Sequence, residues 1–414
     1  MGRARGGECL TRCNNRHQSG PLAVQPSEIA LVIRPGHLQY RASVLSWKIE
    51  YAILKTVSSP YTVLVVGMGK RGMHHATAFN ANPKFKVTGI CDIDAARLDA
   101  AAAKLGHPEK STNAAALARA LRPDVFCFCT LPSLRLPMIR DGLEGGARLL
   151  AFEKPVALTS VELLDLRNLV RQAKAKAVVS HQHRYGQHYQ KVKAIAASGA
   201  LGRVHTVYGT ATGWMTHMLS HLIDYTCWFN DYEPGVWAMA QAAGRTKFAD
   251  NHPSPDYIGG FVQFANGVRG IYECGAGAPD QPEVAKWWGK NRIGAQGTEG
   301  FAEVLTNGGW RAVTKSGGCQ SGEGAMNYDL DMPPYIQQMA DWLDDDAKVH
   351  PCNLDHASLG AEIMLALQRS AAEGGQVALP LTVGTDEQAL LKAKVPELPV
   401  LVSCEQNRKE FGLG

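Results

Sequence analysis

The chain has no apolar run approaching the roughly 18 residues that a membrane-spanning helix needs, so no membrane span is expected. Its ten cysteines show none of the paired spacings that frame disulfides or zinc sites. Cys127 and Cys129 fall in the apolar run Val125-Phe-Cys-Phe-Cys129, and Cys91 closes another such run. They read as buried free thiols in a reducing compartment, which points to the cytoplasm. No twin-arginine pair, secretory apolar core or internal repeat is visible. A basic face is missing too. The formal net charge is +5, but residues 1–60 hold eight Lys and Arg against three acids, and the rest of the chain is formally neutral. Nucleic acid is therefore not an expected partner. What remains is a globular chain: 414 residues, 45% hydrophobic and 20% charged, enough for two sizeable cores.

Residues 1–60 differ from the rest. They are Arg-rich and lack periodicity until Leu45–Leu54. Three readings stand: a poorly ordered extension without a core role, an organelle-type leader, or sequence upstream of the true start. The first is preferred. From Tyr61 apolar runs alternate with helical patterns, implying a parallel sheet with helices on both faces over residues 61–184. Strands are expected at Thr62–Val66, Lys86–Cys91, Asp124–Cys129, Arg148–Phe152 and Ala177–Ser180. After about residue 185 strand-like segments follow one another, with an Asn266-Gly267 turn, and suggest an antiparallel sheet over residues 185–382. Helices are expected near Met215–Phe229, Pro334–Asp344 and Leu354–Glu373, the last returning toward the first domain. A tail, 383–414, follows. The fold class is α/β: a dinucleotide-binding domain and an α+β domain with an open, mostly antiparallel sheet.

The most informative stretch is Val63-Leu-Val-Val-Gly67-Met68-Gly69-Lys70-Arg71-Gly72. An apolar strand ends in G-x-G-x-x-G and a helix follows. Asp92 stands twenty residues beyond the third glycine, at the end of a second strand. This is the sequence form of a dinucleotide-binding βαβ unit. Gly67 permits the tight turn, Gly69 lets a pyrophosphate approach the backbone, and Gly72 allows close helix packing. The N–H groups of the helix start would hold the anion. Asp92 would accept from ribose hydroxyls and repel a 2′-phosphate, which favours NAD over NADP.

Glu153-Lys154-Pro155 stands at the C-terminal edge of a parallel strand, where open α/β sheets bind ligands. With these two motifs in place, the chain resembles the glucose–fructose oxidoreductase/inositol dehydrogenase/MocA family. Further likeness lies in His183-Arg184-Tyr185, Ser198–Val204, Phe264–Val268, Gly294–Thr298 and Val377–Pro380, so it spans about residues 60–382. The family's third hallmark, D-x-G-x-H-x-x-D, is altered here to His217-Met-Leu-Ser-His221-Leu-Ile-Asp224. His221 matches the family's catalytic histidine, while His217 replaces an aspartate and Leu219 a glycine. Arg135 stands where many members have histidine, after the turn Thr130-Leu131-Pro132.

The resemblance implies hydride transfer from a secondary hydroxyl of a sugar, glycoside or cyclitol to NAD. Lys154 would position the oxygen, and His221 would act as base. His217, one helical turn away, cannot supply the usual fixed charge. Beside the loop residues and Asp92, the expected NAD contacts are Thr130, Leu131, Pro132, Glu153 and Lys154. Arg184, Tyr185, Trp214, His217 and His221 are candidates to line the substrate cleft, as are Trp287 and Trp288. Rival readings are a glycoside hydrolase working through transient oxidation and a non-catalytic NAD-binding homologue. A metal reading of His181, His183, His217 and His221 lacks the H-E-x-x-H pattern, and no metal is expected. The implied partners are a small carbohydrate-like substrate and further copies of the chain, as homodimer or homotetramer.

Overall fold

The computed structural model describes residues 59–410, apart from 251 and 286–288. The N-terminal extension and Trp287–Trp288 lie outside the described residues. The first sheet has six parallel strands in the order β3-β2-β1-β4-β5-β6. They are β1 Tyr61–Val66, β2 Phe85–Cys91, β3 Glu109–Ser111, β4 Val125–Phe128, β5 Leu149–Phe152 and β6 Lys176–Val179. Helices lie on both faces, and β4 and β5 are buried along their whole length. Burial on two sides is why these strands read as unbroken apolar runs. The chain order reverses between β1 and β4, and the loops after β1, β4 and β5 meet at that edge.

The second sheet has nine strands in the order β14-β13-β12-β11-β7-β10-β9-β8-β15. They are β7 Val204–Ala211, β8 Gly235–Ala243, β9 Tyr257–Phe264, β10 Arg269–Gly275, β11 Asn291–Gly297, β12 Gly300–Leu305, β13 Gly309–Thr314, β14 Gly318–Gly322 and β15 Val377–Ala378. Every pair is antiparallel except β7 with β10. That parallel pair arises because helix Met215–Phe229 and the β8–β9 hairpin intervene before β10 returns beside β7. Met215–Phe229 packs on this sheet through Leu219, Leu222, Ile223 and Cys227, and Leu354–Glu373 packs on both.

The expected tail carries two short helices, Glu387–Lys394 and Glu405–Glu410, and two longer helices also differ from the sequence expectation. Gln187–Ala197 has no counterpart in it: its buried stripe is His188, Tyr189 and Val192, narrow and partly polar, so periodicity hides it. Tyr328–Asp344 starts six residues before Pro334, because Asn327 accepts from the Asp329 N–H and acids fill the first turn. Met332, Tyr335, Ile336 and Met339 of this helix share an apolar cluster with Val63, Val65 and Cys127 of the first sheet.

Candidate active site

The glycine loop has the required geometry. Gly67 adopts φ +88°, and a Cβ there would lie 2.7 Å from the Cys129 carbonyl oxygen, so the loop after β1 presses on the end of β4. A Cβ on Gly72 would lie 1.7 Å from the Gly67 oxygen. At Gly69, by contrast, a Cβ would meet nothing within 4 Å. That open space sits at the start of helix Lys70–Ala81, whose first turn has no side-chain cap. An uncapped helix start facing free space is the cradle a pyrophosphate needs, so the residues present fit a dinucleotide.

Asp92 is nearly fully buried and is engaged with the loop itself. Its Oδ2 accepts from the Met68 N–H at 2.6 Å, and Oδ1 accepts from the Asp94 N–H at 3.0 Å. Arg97 donates to both oxygens at 3.2 Å, a pairing that sequence spacing did not reveal. The aspartate thus braces the turn.

Beyond the loop lies a cavity of about 590 Å³. Arg71, Thr130, Leu131, Pro132, Glu153 and Lys154 reach it from the first sheet, and Trp214, His217 and His221 from the second domain. These residues are scattered from 71 to 221, yet all expected positions just named meet here. Arg184 and Tyr185 do not line it, which corrects their expected place in the cleft. Arg184 is buried in a pair with Asp224 at 2.6 Å and also bonds Tyr232, while Tyr185 bonds Gln338. A guanidinium beside a buried carboxylate gains more there than in an open cavity. Asp224 likewise turns away from the cavity, to Arg184 and to His181 Nδ1 at 3.2 Å. Lining residues that the sequence did not flag include His252, Asn291, Thr306 and Tyr328, brought in by a bend, strand ends and a helix start; His183, flagged there for its family likeness and for a metal reading, lines it too.

Glu153 is the one carboxylate lining the cavity among the described residues. Its Oε1 accepts from Arg71 Nε at 3.0 Å and lies 3.1 Å from His75 Nε2. Burial pushes this carboxyl up, but Arg71 and His75 outweigh it and hold it far below the usual range. Arg71 also stacks over Tyr328 at 4.3 Å, tying the glycine helix to the far wall. His75, Cys129 and Glu153 are the one converging set of metal-type donors among the described residues, and its carboxylate is already shared by two cations. The histidines at 181, 183, 217 and 221 form no such set.

Lys154 Nζ donates to the His217 carbonyl at 3.2 Å, which places the ammonium against the first turn of helix Met215–Phe229. Burial pulls its pKa down from 10.5 to about 8; Glu153 opposes the shift, and Arg71 and Arg135 add to it. Arg135 explains its own departure from the family pattern. Fully buried and packed against Phe128 and Phe152, it donates to the carbonyls of Thr130, Lys154 and Pro155, clamping the two turns together. His217 packs against His252, with ring centres 3.8 Å apart, and burial with Lys154 beside it lowers its pKa to about 3. His221 stacks on Tyr225 and is pushed well below 6.5 by burial, then by Lys154, His181 and His183. Both imidazoles of the helix face are therefore neutral near pH 7.

Known proteins share this fold. Residues 61–181 match the family model of oxidoreductases with an NAD-binding Rossmann fold. An uncharacterized protein of Sinorhizobium fredii, y4oX, is 28% identical over 270 residues, which is 58% of this chain and 72% of that protein. The D-glucoside 3-dehydrogenase of Escherichia coli is 23% identical over 155 residues, 37% of this chain and 44% of the enzyme. A levoglucosan dehydrogenase solved with NADH and levoglucosan superposes with TM-score 0.67 at 16% identity, covering 78% of this chain and 100% of that one. At that identity the superposition speaks for the fold alone. With the glycine loop, the Glu153-Lys154-Pro155 turn and both sheets in place, residues 61–181 carry the NAD-binding Rossmann domain of the Gfo/Idh/MocA oxidoreductase family, and the cofactor is NAD.

Proposed function

We propose that this protein oxidises a secondary hydroxyl of a sugar, glycoside or cyclitol. The observation that carries this reading is the position of Lys154. Its ammonium is fixed by the His217 carbonyl, in one cavity with His221 and beside the glycine loop. Bound NAD supplies the hydride acceptor; the chain's residues bind, orient and handle the proton. Lys154 holds the reacting oxygen and offsets the negative charge that develops on it. His221 and His217 hydrogen-bond neighbouring hydroxyls. Trp214 and Tyr328 present ring surfaces of the kind that pack on sugar C–H groups. Residues 61–184 carry the cofactor, and residues 185–382 carry the substrate and subunit contacts. The dehydrogenase activities named for the E. coli relative and the levoglucosan enzyme support the substrate class.

We also place the protein in the cytoplasm as a homo-oligomer. No helix among the described residues is long and apolar enough to cross a membrane, and the eight described cysteines are free thiols. On the second sheet, Met239, Phe261 and Ile271 pair in register across β8, β9 and β10, with Phe261 half exposed. A second copy is the occupant that suits this bare row, because an isologous contact lays the same strands on themselves.

The test is a panel of sugars, glycosides and cyclitols incubated with NAD and read by mass spectrometry for ketone products. A ketone formed by wild type and lost in Lys154→Ala, with NADH binding retained, supports the reading. Glycosidic cleavage without NADH accumulation would instead support hydrolysis through transient oxidation. NAD binding with no product from any member would leave a non-catalytic homologue.

A further inference from the structure

The hydroxyl-oxidation reading leaves one group unassigned. A secondary alcohol loses a proton as well as a hydride, and the helix position that should carry a carboxylate carries His217. His221 is poorly equipped to take that proton. Its Nδ1 is buried without a hydrogen-bond partner among the described residues, and its neighbours Lys154, His181, His183 and Arg71 all disfavour an imidazolium. His217 faces Lys154 and His252, with only Asp250 opposing them.

The other buried histidine of the same wall is different. His183 lines the cavity, and its Nδ1 lies 3.1 Å from Asp331 Oδ2 at the start of helix Tyr328–Asp344. Both side chains are buried: 9% of the histidine's and 2% of the aspartate's surface is exposed. An imidazole held this way keeps its hydrogen on Nδ1 and offers Nε2 as acceptor, while the carboxylate stabilises the charge that arrives. The ring sits 5.9 Å from that of His221 and 5.4 Å from that of Tyr328.

We propose that His183, held by Asp331, accepts the substrate's hydroxyl proton, and that this pair stands in for the carboxylate missing at position 217. The O–H bond breaks toward His183 Nε2, its electron pair forms the carbonyl, and the C–H pair leaves as hydride to NAD. Lys154 holds the oxygen throughout. His183 is then a catalytic residue, and Asp331 a positioning one. Burial lowers the pKa of His183 and outweighs the opposing Asp331, so the net shift is below 6.5; Arg71 adds to it and Glu153 opposes it. His188, His221 and Tyr328 complete its charged and titratable surroundings. Of these groups Asp331 is the one in direct contact, so its removal should move the titration down.

Two measurements test the pair. The first needs no substrate: nitrogen-15 NMR of the NADH-bound protein, histidine-labelled and assigned with His183→Asn. His183 is expected as the Nδ1–H tautomer, protonating at higher pH than His221, with both features lost in Asp331→Asn. A His221 that protonates above His183 overturns the proposal. The second uses whichever alcohol the panel identifies. The acid limb of kcat/KM should move to lower pH in Asp331→Asn. It should disappear in His183→Asn with a rate loss of roughly 10²–10⁴-fold, and persist in His221→Asn. A limb that survives in His183→Asn but vanishes in His221→Asn refutes the assignment. If no alcohol is oxidised, the hydroxyl reading has failed, and the NMR result still decides the pair on its own.

Discussion

Adding one methyl group at two glycines three residues apart should separate fold from cofactor. At Gly72 the new carbon would sit 1.7 Å from the Gly67 oxygen, where real Cβ contacts stay beyond 3.0 Å. The clash is with backbone, so the helix start or the loop must shift by more than an ångström. Forcing an extra carbon into a packed interior costs ~1–3 kcal/mol. At roughly 1–1.5 °C of Tm per kcal/mol for a chain of this size, Gly72→Ala should melt a few degrees below wild type. At Gly69 the same methyl meets nothing within 4 Å, and the backbone there is extended, with φ −68° and ψ −172°. Gly69→Ala should therefore keep the wild-type Tm. It should lose NADH affinity by at least about tenfold, or ~1.4 kcal/mol, because the methyl occupies the pyrophosphate's approach. Differential scanning fluorimetry and NADH fluorescence titration read the two outcomes. A Gly69→Ala protein that binds NADH as tightly as wild type would refute the placement of the pyrophosphate. A Gly72→Ala protein of unchanged Tm would refute the packing argument.

Two further outcomes are expected. Lys154 acts as a cation with its pKa pulled to about 8, so activity should fall as pH rises through that value. Glu153 favours the charged form, hence Glu153→Gln should move this alkaline limb to lower pH, and an unmoved limb in a pH–rate profile would detach it from Lys154. Phe261→Asp should turn the proposed homo-oligomer into monomer on light scattering, since an interface of this symmetry loses the phenyl twice, each worth ~1.5–3 kcal/mol; an unchanged mass would move the interface elsewhere.

Much of the first domain was legible because its signals are local. Strand β4 announces itself by burial on both faces, the glycine turn by residues that alone tolerate its geometry, and Lys154 by its distance from a strand end. Helix Met215–Phe229 has an apolar side clear enough to place His217 and His221 on one face. Arg184 and Tyr185 show the limit of that reasoning. They follow a strand edge as ligand-binding residues do, but Asp224, Tyr232 and Gln338 claim them, and none of those partners is near in sequence. Arg97 and Arg135 were invisible as braces for another reason: Asp92, Thr130, Lys154 and Pro155 lie near them in sequence, but only the fold turns those acceptors toward the two guanidinium groups.

The sequence by itself pointed to a dinucleotide at a glycine turn and to a lysine at the same sheet edge. Both follow from residue types close together in the chain, where spacing translates directly into geometry, while the carboxylate missing from the histidine helix showed only through the family resemblance. Only the tertiary structure decided what surrounds them. It pairs Glu153 with Arg71 and His75, withdraws Asp224 to Arg184, and sets Asp331 against His183 across 148 positions of chain. Charge acts through space and through burial, and neither distance is written in the order of residues.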